Sequence, residues 1–379
     1  MKIQQISWSE ESGWKSMSGE ARLPLADWVL AFGDRHALES EVRFDELKDQ
    51  FPHATILSCS SSGDICGNEL IESPIVATAV KFEKTLLRSA STSIETGVDH
   101  RPAGEKLAQE LMGPDLRLVF VLSDGHNVNA GELVQGLNNI LGDKVPVTGG
   151  LAGDGIDFSK TVVGLDGPPE SNQVAAIGFY GTDLRVGHGS LGGWDPIGPE
   201  RVITRSKNNT LFELDGTSAL ELYKTYLGER ANELPGAALL FPLSIQVNDS
   251  GESVVRTVLS VNEANQSMQF AGDLPQGSRC QLMIANFDRI IDASALAAEH
   301  CLEKMDNHDT ELGIFISCVG RRLLLGQRVE EELEEAIQVI GPQAKVTGFY
   351  SYGELSPLGS NQGCQLHNQT MTITTLSER

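Results

Sequence analysis

The chain has few cysteines, few aromatic residues and a shortage of basic side chains. Its six cysteines in 379 residues form no C-x-x-C pair, so we interpret them as reduced thiols rather than as a disulfide framework or a zinc site. No run approaches the roughly 20 apolar residues that cross a bilayer. The start MKIQQISWSEES also lacks the basic and apolar regions of a secretory signal. We therefore expect a cytoplasmic protein.

Charge narrows the range of partners. The sequence holds 29 basic and 52 acidic residues, a net charge of −23. A field of this sign repels phosphate backbones and anionic lipid surfaces. We expect neither a nucleic-acid partner nor a membrane partner, and the absence of finger-like His/Cys spacing or H-E-x-x-H argues against a structural metal.

Length and pattern predict the fold class. A chain of 379 residues exceeds the size at which one hydrophobic core keeps growing, so two domains are expected. Strand-helix-strand patterns alternate with long β stretches, which predicts an α/β to α+β protein with mixed sheets covered by helices. We place an irregular N-terminal segment at 1–24, a first domain at 25–219 and a second at 220–379.

The two predicted domains contain a similar strand-helix-strand pattern. Residues 116–122, a helix and 145–149 are similar to residues 312–317, a helix and 344–348. Duplicated units and chance similarity between two common strand-helix-strand units both explain this, and both interpretations stay open. With duplication, the loops predicted at 149–154 and 348–354 follow equivalent strands, where α/β sheets usually hold ligands.

Several motifs, taken in order, resemble the FIST family of sensory proteins, which carry an N-terminal and a C-terminal FIST domain. The resemblance implies a small-molecule sensor without chemistry of its own. It also implies signalling through a partner, for which a separately encoded histidine kinase or a cyclic-di-GMP protein is expected. The motifs are Gly149-Gly-Leu-Ala-Gly-Asp154, Leu214-Asp-Gly-Thr-Ser-Ala219, Phe241-Pro-Leu243, Gly272-Asp-Leu-Pro-Gln-Gly277, Ser317-Cys-Val-Gly-Arg321, Gly348-Phe-Tyr-Ser-Tyr-Gly-Glu354 and Leu366-His-Asn-Gln-Thr370.

A narrower resemblance concerns haem. The stretch Gly187-His-Gly-Ser-Leu-Gly-Gly-Trp194 is similar to the FIST branch that binds haem b and senses nitric oxide, which implies His188 as the axial ligand. Flanking glycines let a planar macrocycle approach the imidazole. His126 and His367 are alternatives, and a histidine satisfied by a backbone hydrogen bond is a further one.

The motifs also supply the expected ligand-binding residues. Tyr350 and Tyr352 offer flat apolar area with a hydroxyl group, and Glu354 suits an amine or guanidinium. In the alternative interpretation, Glu354 pairs with Arg321 or Arg256, and the tyrosines plug a domain interface. The expected set consists of Gly149, Gly150, Asp154, Arg256, Cys318, Arg321, Tyr350, Tyr352, Glu354, His367 and Asn368.

Two other functions compete with a haem sensor. One is a sensor of an amino-acid-like molecule without haem. The other is an enzyme with Cys318 as nucleophile and His367 as base, although the nucleophile-elbow, Walker and dinucleotide-binding signatures are missing. We expect no enzyme activity.

Overall fold

A computed structural model describes residues 1–17, 22–71, 74–246, 252–359 and 363–378. The strands are β1 Lys2–Ser9, β2 Gly13–Ser16, β3 Trp28–Gly33, β4 Thr55–Ser60, β5 Asp64–Cys66, β6 Glu69–Ile71, β7 Ile75–Lys81, β8 Leu86–Ser93, β9 Leu116–Ser123, β10 Val147–Leu151, β11 Val163–Leu165, β12 Gln173–Tyr180, β13 Leu184–Leu191, β14 Asp195–Lys207, β15 Thr210–Leu214, β16 Thr217–Ser218, β17 Leu243–Gln246, β18 Ser253–Arg256, β19 Val258–Asn262, β20 Ser267–Phe270, β21 Arg279–Ile284, β22 Leu312–Cys318, β23 Lys345–Ser351, β24 Gly353–Pro357, β25 Cys364–His367 and β26 Met371–Glu378.

The helices begin and end at residues with clear local reasons. Asn129 and Asn286 cap the helices Ala130–Leu141 and Phe287–Lys304 by accepting backbone N–H groups, and Gly142 ends the first of these helices with a positive φ. The α-helices are α1 Arg35–Leu38, α2 Glu41–Gln50, α3 Arg101–Leu111, α4 Ala130–Leu141, α5 Ala219–Leu227, α6 Phe287–Lys304, α7 Val319–Leu325 and α8 Val329–Ile340; 3₁₀ turns cover Gly228–Glu233, Gly236–Leu240 and Gly326–Arg328.

Three sheets repeat one arrangement of four strands. In each, two parallel strands are joined by a helical connection, and two antiparallel strands extend the sheet on one side. The orders are β4-β3-β7-β1, β10-β9-β12-β8 and β23-β22-β26-β13. The two units matched in sequence therefore have the same strand arrangement, and the structure adds a third unit at the N-terminus.

Each unit gives a strand to another unit. The strand after the second parallel strand leaves its own sheet and pairs with the equivalent parallel strand of a neighbour: β5 pairs with β23, β24 with β10, and β11 with β4. This cyclic exchange holds the three sheets together. Apolar side chains on their inner faces then share one core, in which Trp28 packs against Phe120, and Phe32 against Phe349.

A curled sheet between residues 195 and 284 forms a second, smaller domain. It contains β14 to β21 and packs around its own core with α5. The fold class predicted from sequence, mixed sheets covered by helices in two domains, is confirmed. Three of the four sheets formed by the described strands take strands from both sides of residue 219, and the boundary between 219 and 220 stays a prediction.

Two expectations about local structure were wrong. The segment 1–24 is not irregular throughout, because β1 and β2 extend the first sheet; residues 18–21 lie outside the described ranges. Gly149 and Gly150 do not belong to a loop but to the buried strand β10. A Cβ on Gly149 would lie 1.8 Å from the carbonyl oxygen of Val121, so glycine here serves close strand approach.

Three further features of the structure concern membrane-spanning helices, metal-binding side chains and the state of the cysteines. Across the described ranges, no helix is both long and apolar enough to cross a bilayer. The same residues contain no group of three or more His, Cys, Asp or Glu side chains that could hold a metal ion. Five cysteines, Cys59, Cys280, Cys301, Cys318 and Cys364, are buried free thiols.

Candidate functional site

The carboxyl ends of the three parallel strand pairs meet at one point. Three backbone hydrogen bonds close a ring there, each running from the residues after one unit's second parallel strand to the equivalent segment of the next unit. They run from Ser62 N to Tyr350 O at 2.8 Å, from Tyr352 N to Leu151 O at 3.2 Å, and from Gly153 N to Ser60 O at 2.9 Å. The two loops expected to hold a ligand are therefore neighbours, joined by a third segment at Ser60–Ser62.

Two buried carboxyl groups occupy equivalent positions beside this ring. Ser61 Oγ donates to Asp64 at 2.6 Å, and Ser351 Oγ donates to Glu354 at 2.7 Å. Burial raises the pKa of Asp64 to about 7 and that of Glu354 to about 8. Glu354 also accepts from the backbone N–H and hydroxyl of Thr370. Its hydrogen bonds are made within the fold, not toward an open site.

Arg321 and Tyr350 converge on a different carboxylate. Both donate to Glu332: Arg321 through Nη2 at 2.8 Å and Tyr350 through its hydroxyl at 2.7 Å. Arg321 and Glu332 have fully buried side chains, and Ser317 adds a third donor at 3.1 Å. This network ties α7, α8 and the third sheet together. Glu354 therefore does not make the ion pair with Arg321 that the alternative interpretation expected.

Tyr352 closes the loop that begins at Asp154. Its hydroxyl donates to the Asp154 carboxylate, and its ring stacks on Phe158 with centroids 4.8 Å apart. Burial opposes ionisation of Asp154, but hydrogen bonds from Tyr352, Lys160 and Ser159 lower its pKa on balance. The side chain of Tyr352 is therefore held by contacts within its own loop. Tyr350 and Tyr352 have different partners and do not form one shared recognition face.

The remaining residues expected in the site are held by backbone contacts. His367 Nε2 lies 3.0 Å from Ser356 O, and burial lowers the His367 pKa to about 4. Burial also raises the pKa of the Cys318 thiol above its ordinary value, which disfavours a nucleophilic thiolate. Arg256 donates to Leu366 O at 3.0 Å. The arrangement gives no support to a Cys318 and His367 pair, and the expectation of no enzyme activity stays a prediction.

Asn368 adds one detail at the same end of the fold. Its Nδ2 donates to the carbonyl of His367 at 3.0 Å, whereas its buried Oδ1 has no hydrogen-bond partner within the described residues. The side chain is buried and lines no part of the cavity described below. Asn368 therefore stays a predicted ligand residue without a cavity of its own.

A cavity of about 260 Å³ lies at the opposite end of the parallel strands. It opens between β13 of the third unit and the amino ends of β9 and β10 of the second. Residues from five separate segments of the chain border it. The lining is Leu116, Arg117, Asp143, Lys144, Val145, Pro146, Val186, His188, Lys304, Pro357, Gly363 and Cys364.

His188 and Lys304 form the inner part of this cavity. Lys304 Nζ lies 3.1 Å from His188 Nδ1 and donates to the His188 carbonyl oxygen at 2.8 Å. Burial, reinforced by the Lys304 charge, lowers the pKa of His188 to about 3. Burial lowers the pKa of Lys304 as well. The imidazole is therefore neutral near pH 7 and accepts a hydrogen bond at Nδ1.

These surroundings do not fit a haem ligand. A metal-bound imidazole normally donates its other ring N–H to a carboxylate or carbonyl, whereas Nδ1 of His188 faces an ammonium group. With Nδ1 as acceptor, Nε2 carries the proton and has no lone pair for iron. Three further lining residues, Arg117, Asp143 and Lys144, are charged, although a porphyrin calls for an apolar wall.

Of the polar residues that line the cavity, only His188 was singled out in the sequence. Arg117, Lys144 and Lys304 belong to no motif, and more than 180 positions separate the first from the last. One signal was present: Lys144 and Arg117 each stand beside the start of a parallel strand, on the same edge of the sheet. The partner strand β13 could not be placed there without knowing the topology.

Comparison with known proteins places the chain among sensory domains. The FIST N domain model matches residues 27–217, and the FIST C domain model matches residues 219–357. An uncharacterized protein of Methanocaldococcus jannaschii, MJ1623, is 23% identical over 358 residues; the match covers 86% of this chain and 66% of that protein. A crystal structure of cyanuric acid hydrolase from A. caulinodans aligns over 100% of this chain and 99% of that one, with 9% identity and a TM-score of 0.40.

Proposed function

Since the chain belongs to the FIST family, whose domains sense small ligands in signalling, we propose that its ligand binds in the cavity bordered by His188 and Lys304. The observation that carries this proposal is the contrast between the two ends of the fold. At the carboxyl end the Tyr352 hydroxyl is taken up by Asp154 within the fold, whereas the amino end has a cavity of about 260 Å³.

The position of the cavity suits a sensor. Its walls come from the second and third units and from the end of α6. Helix α6 packs against β13. A ligand that touches both units binds one relative placement of them better than another, and such a difference in affinity is what shifts a conformational equilibrium. The bound state is then reported through the outer surface of α6.

The size of the cavity favours a small metabolite. Pockets for drug-sized ligands measure roughly 300–1,000 Å³, so about 260 Å³ suits a molecule smaller than these. An amino-acid-like ligand fits this space and finds both charge signs, because Asp143 lies beside the basic residues. Haem binding with nitric-oxide sensing is a second proposal that comes from the sequence resemblance alone, and the contact between His188 and Lys304 speaks against it.

A cavity-filling variant tests the site. In thermal-shift assays against a collection of amino acids and organic acids, we expect at least one compound to stabilise the wild type and not Val186→Phe, which fills the cavity. Val42→Phe makes the same change at an exposed position on α2 and should respond as the wild type does. Equal stabilisation of both variants by every active compound would place the site elsewhere.

The output partner is the second part of the proposal. We expect a separately encoded histidine kinase to change its autophosphorylation rate when the protein and its ligand are added together, and Val186→Phe to remove the ligand's effect. No change with any kinase encoded nearby would argue against this output and would direct attention to cyclic-di-GMP enzymes. A Soret band in protein purified from haem-supplied cells, lost in His188→Ala, would instead favour the haem sensor.

A further inference from the structure

The cavity concentrates positive charge in a strongly acidic protein. The chain carries 52 acidic and 29 basic residues, and several of its lysines pair with carboxylates, as Lys48 does with Asp166 and Lys84 with Asp183. Arg117, Lys144 and Lys304 line one cavity. Within the described part of the chain, none of these three belongs to an ion pair.

Lys304 is the most informative of the three. Its side chain is half-buried, and its neighbours at hydrogen-bond distance, both atoms of His188, are neutral acceptors. The carboxylate that acts on its charge is exposed Glu303, which does not come within ion-pair distance. Charged groups removed from water are normally paired. A half-buried ammonium that lines a cavity and pairs with no carboxylate of the described residues is therefore suited to take its counterion from a ligand.

The hydrogen-bond donors that line the cavity agree with this conclusion. An ammonium has three N–H donors, and Lys304 uses two of them on His188, which leaves one for a ligand. Because Nδ1 of His188 is an acceptor, its Nε2 is a second donor. Arg117 supplies a planar guanidinium suited to two oxygens of one carboxylate or phosphate. Lys144 adds a further positive charge at the edge of the cavity.

We propose that the cavity binds a small anion, whose carboxylate or phosphate oxygens accept hydrogen bonds from Lys304 and His188 and are held at the mouth by Arg117 and Lys144. The inference rests on the proposed function and specifies the ligand's chemistry. A single Asp143 against three cations leaves the lining with a net positive charge, so an anion is favoured over a neutral or cationic molecule of the same size.

The test uses three probes, two of which have a similar shape and a different charge. Succinate and inorganic phosphate are the anions, and succinamide is the neutral match to succinate. Binding is followed by the ring ¹⁵N resonances of His188, which report any occupant of the cavity, and by calorimetry. We expect both anions to shift the His188 signals. Succinamide should bind at least tenfold more weakly than succinate.

Variants separate the cavity charges from the general field. Lys304→Gln and the exposed Arg117→Gln should each weaken succinate binding about tenfold or more, the scale expected for losing one charge-assisted hydrogen bond. Lys207→Gln removes the same charge from an exposed position on β14, in the other domain, and should leave affinity unchanged. If Lys304→Gln disturbs folding, Arg117→Gln still tests the inference.

Three binding results would contradict the anion inference, and they differ in what they say about the proposed site. Succinamide binding as tightly as succinate, with His188 signals shifted by both, would overturn the anion inference and leave the cavity as the ligand site. If Lys207→Gln weakens succinate binding as much as the cavity variants do, the attraction is nonspecific and the anion inference fails. His188 signals that no probe or amino acid moves would contradict both the anion inference and the proposed site.

Discussion

The guanidinium of Arg321 and the carboxylate of Glu332 form an ion pair at 2.8 Å in which both side chains are fully buried. Ser317 and Tyr350 satisfy the second oxygen of Glu332, and the carbonyls of Gly192 and Ile290 accept from Arg321. Each charge is therefore compensated. The ion pair fixes α7 and α8 against the third sheet and does not serve to receive a ligand.

Removing one member of this pair should destabilise the protein strongly. We expect Arg321→Met to lower the free energy of unfolding by about 3–5 kcal/mol, because Glu332 is left buried without a counterion. Urea denaturation measures the change. Arg328→Met removes two solvent-accessible ion pairs, with Asp288 and Glu331, and should change the unfolding midpoint far less. Similar midpoints for the two variants would contradict the structural role of Arg321.

Glu354 should make stability dependent on pH. Burial raises its pKa to about 8, so the folded state holds this proton to higher pH than the unfolded state. The stabilisation is complete below the ordinary carboxyl pKa and is lost as pH rises toward 8, by at most about 1.4 kcal/mol per pH unit. Glu354→Gln keeps a neutral side chain at every pH. In thermal denaturation, the melting temperature of this variant should therefore depend less on pH between pH 5 and 8 than that of the wild type.

A control distinguishes this effect from a general pH dependence of stability. Glu334 is exposed on α8, and Glu334→Gln should keep the wild-type pH profile. Asp64, with a pKa raised to about 7, contributes in the same direction, so Asp64→Asn should remove part of the slope. Profiles for Glu354→Gln that run parallel to the wild type would mean that this carboxyl is ionised in the fold.

Close strand approach predicts the effect of a single methyl group. A Cβ on Gly348 would lie 1.8 Å from the carbonyl oxygen of Phe315, so we expect Gly348→Ala to cost about 3 kcal/mol or more. Nothing lies within 4 Å of the corresponding point on Gly236. Gly236→Ala should therefore change stability by less than about 0.5 kcal/mol. Chemical denaturation of both variants would show whether the parallel strands approach this closely.

The loop around Tyr352 should affect local stability without affecting the ligand. Tyr352→Phe removes the hydroxyl that donates to Asp154, and we expect faster hydrogen exchange at the amides of Ser159 and Lys160, which that carboxylate also holds. Succinate binding should stay at the wild-type level. A loss of binding in Tyr352→Phe would favour the carboxyl end of the fold as the ligand site.

Much of the fold could be predicted from local patterns, and the exceptions have physical causes. The run at 116–122 predicts β9, and the helix expected between residues 317 and 344 corresponds to α8. Strand β1 was missed because polar Gln4 and Gln5 interrupt its pattern; Gln5 is nevertheless buried and donates to Val346 O at 2.8 Å. A buried glutamine with a distant partner looks like a surface residue in sequence.

The candidate site was harder to predict than the fold. Glycines at 149 and 150 are typical of a binding loop, but here they allow β10 to approach its neighbours. His188 was found through its flanking glycines, which in fact admit the backbone of α6: a Cβ on Gly189 would meet Ala297 O at 2.1 Å. Lys304, the residue that gives His188 its environment, becomes its neighbour only through that packing.

A crystal structure with bound succinate, or with another compound found by thermal shift, tests the central claim most directly. We predict ligand density between β13 and the amino ends of β9 and β10, with an anionic oxygen within hydrogen-bond distance of Lys304 Nζ. Density beside Tyr352 and Asp154, with the His188 cavity filled only by water, would contradict it.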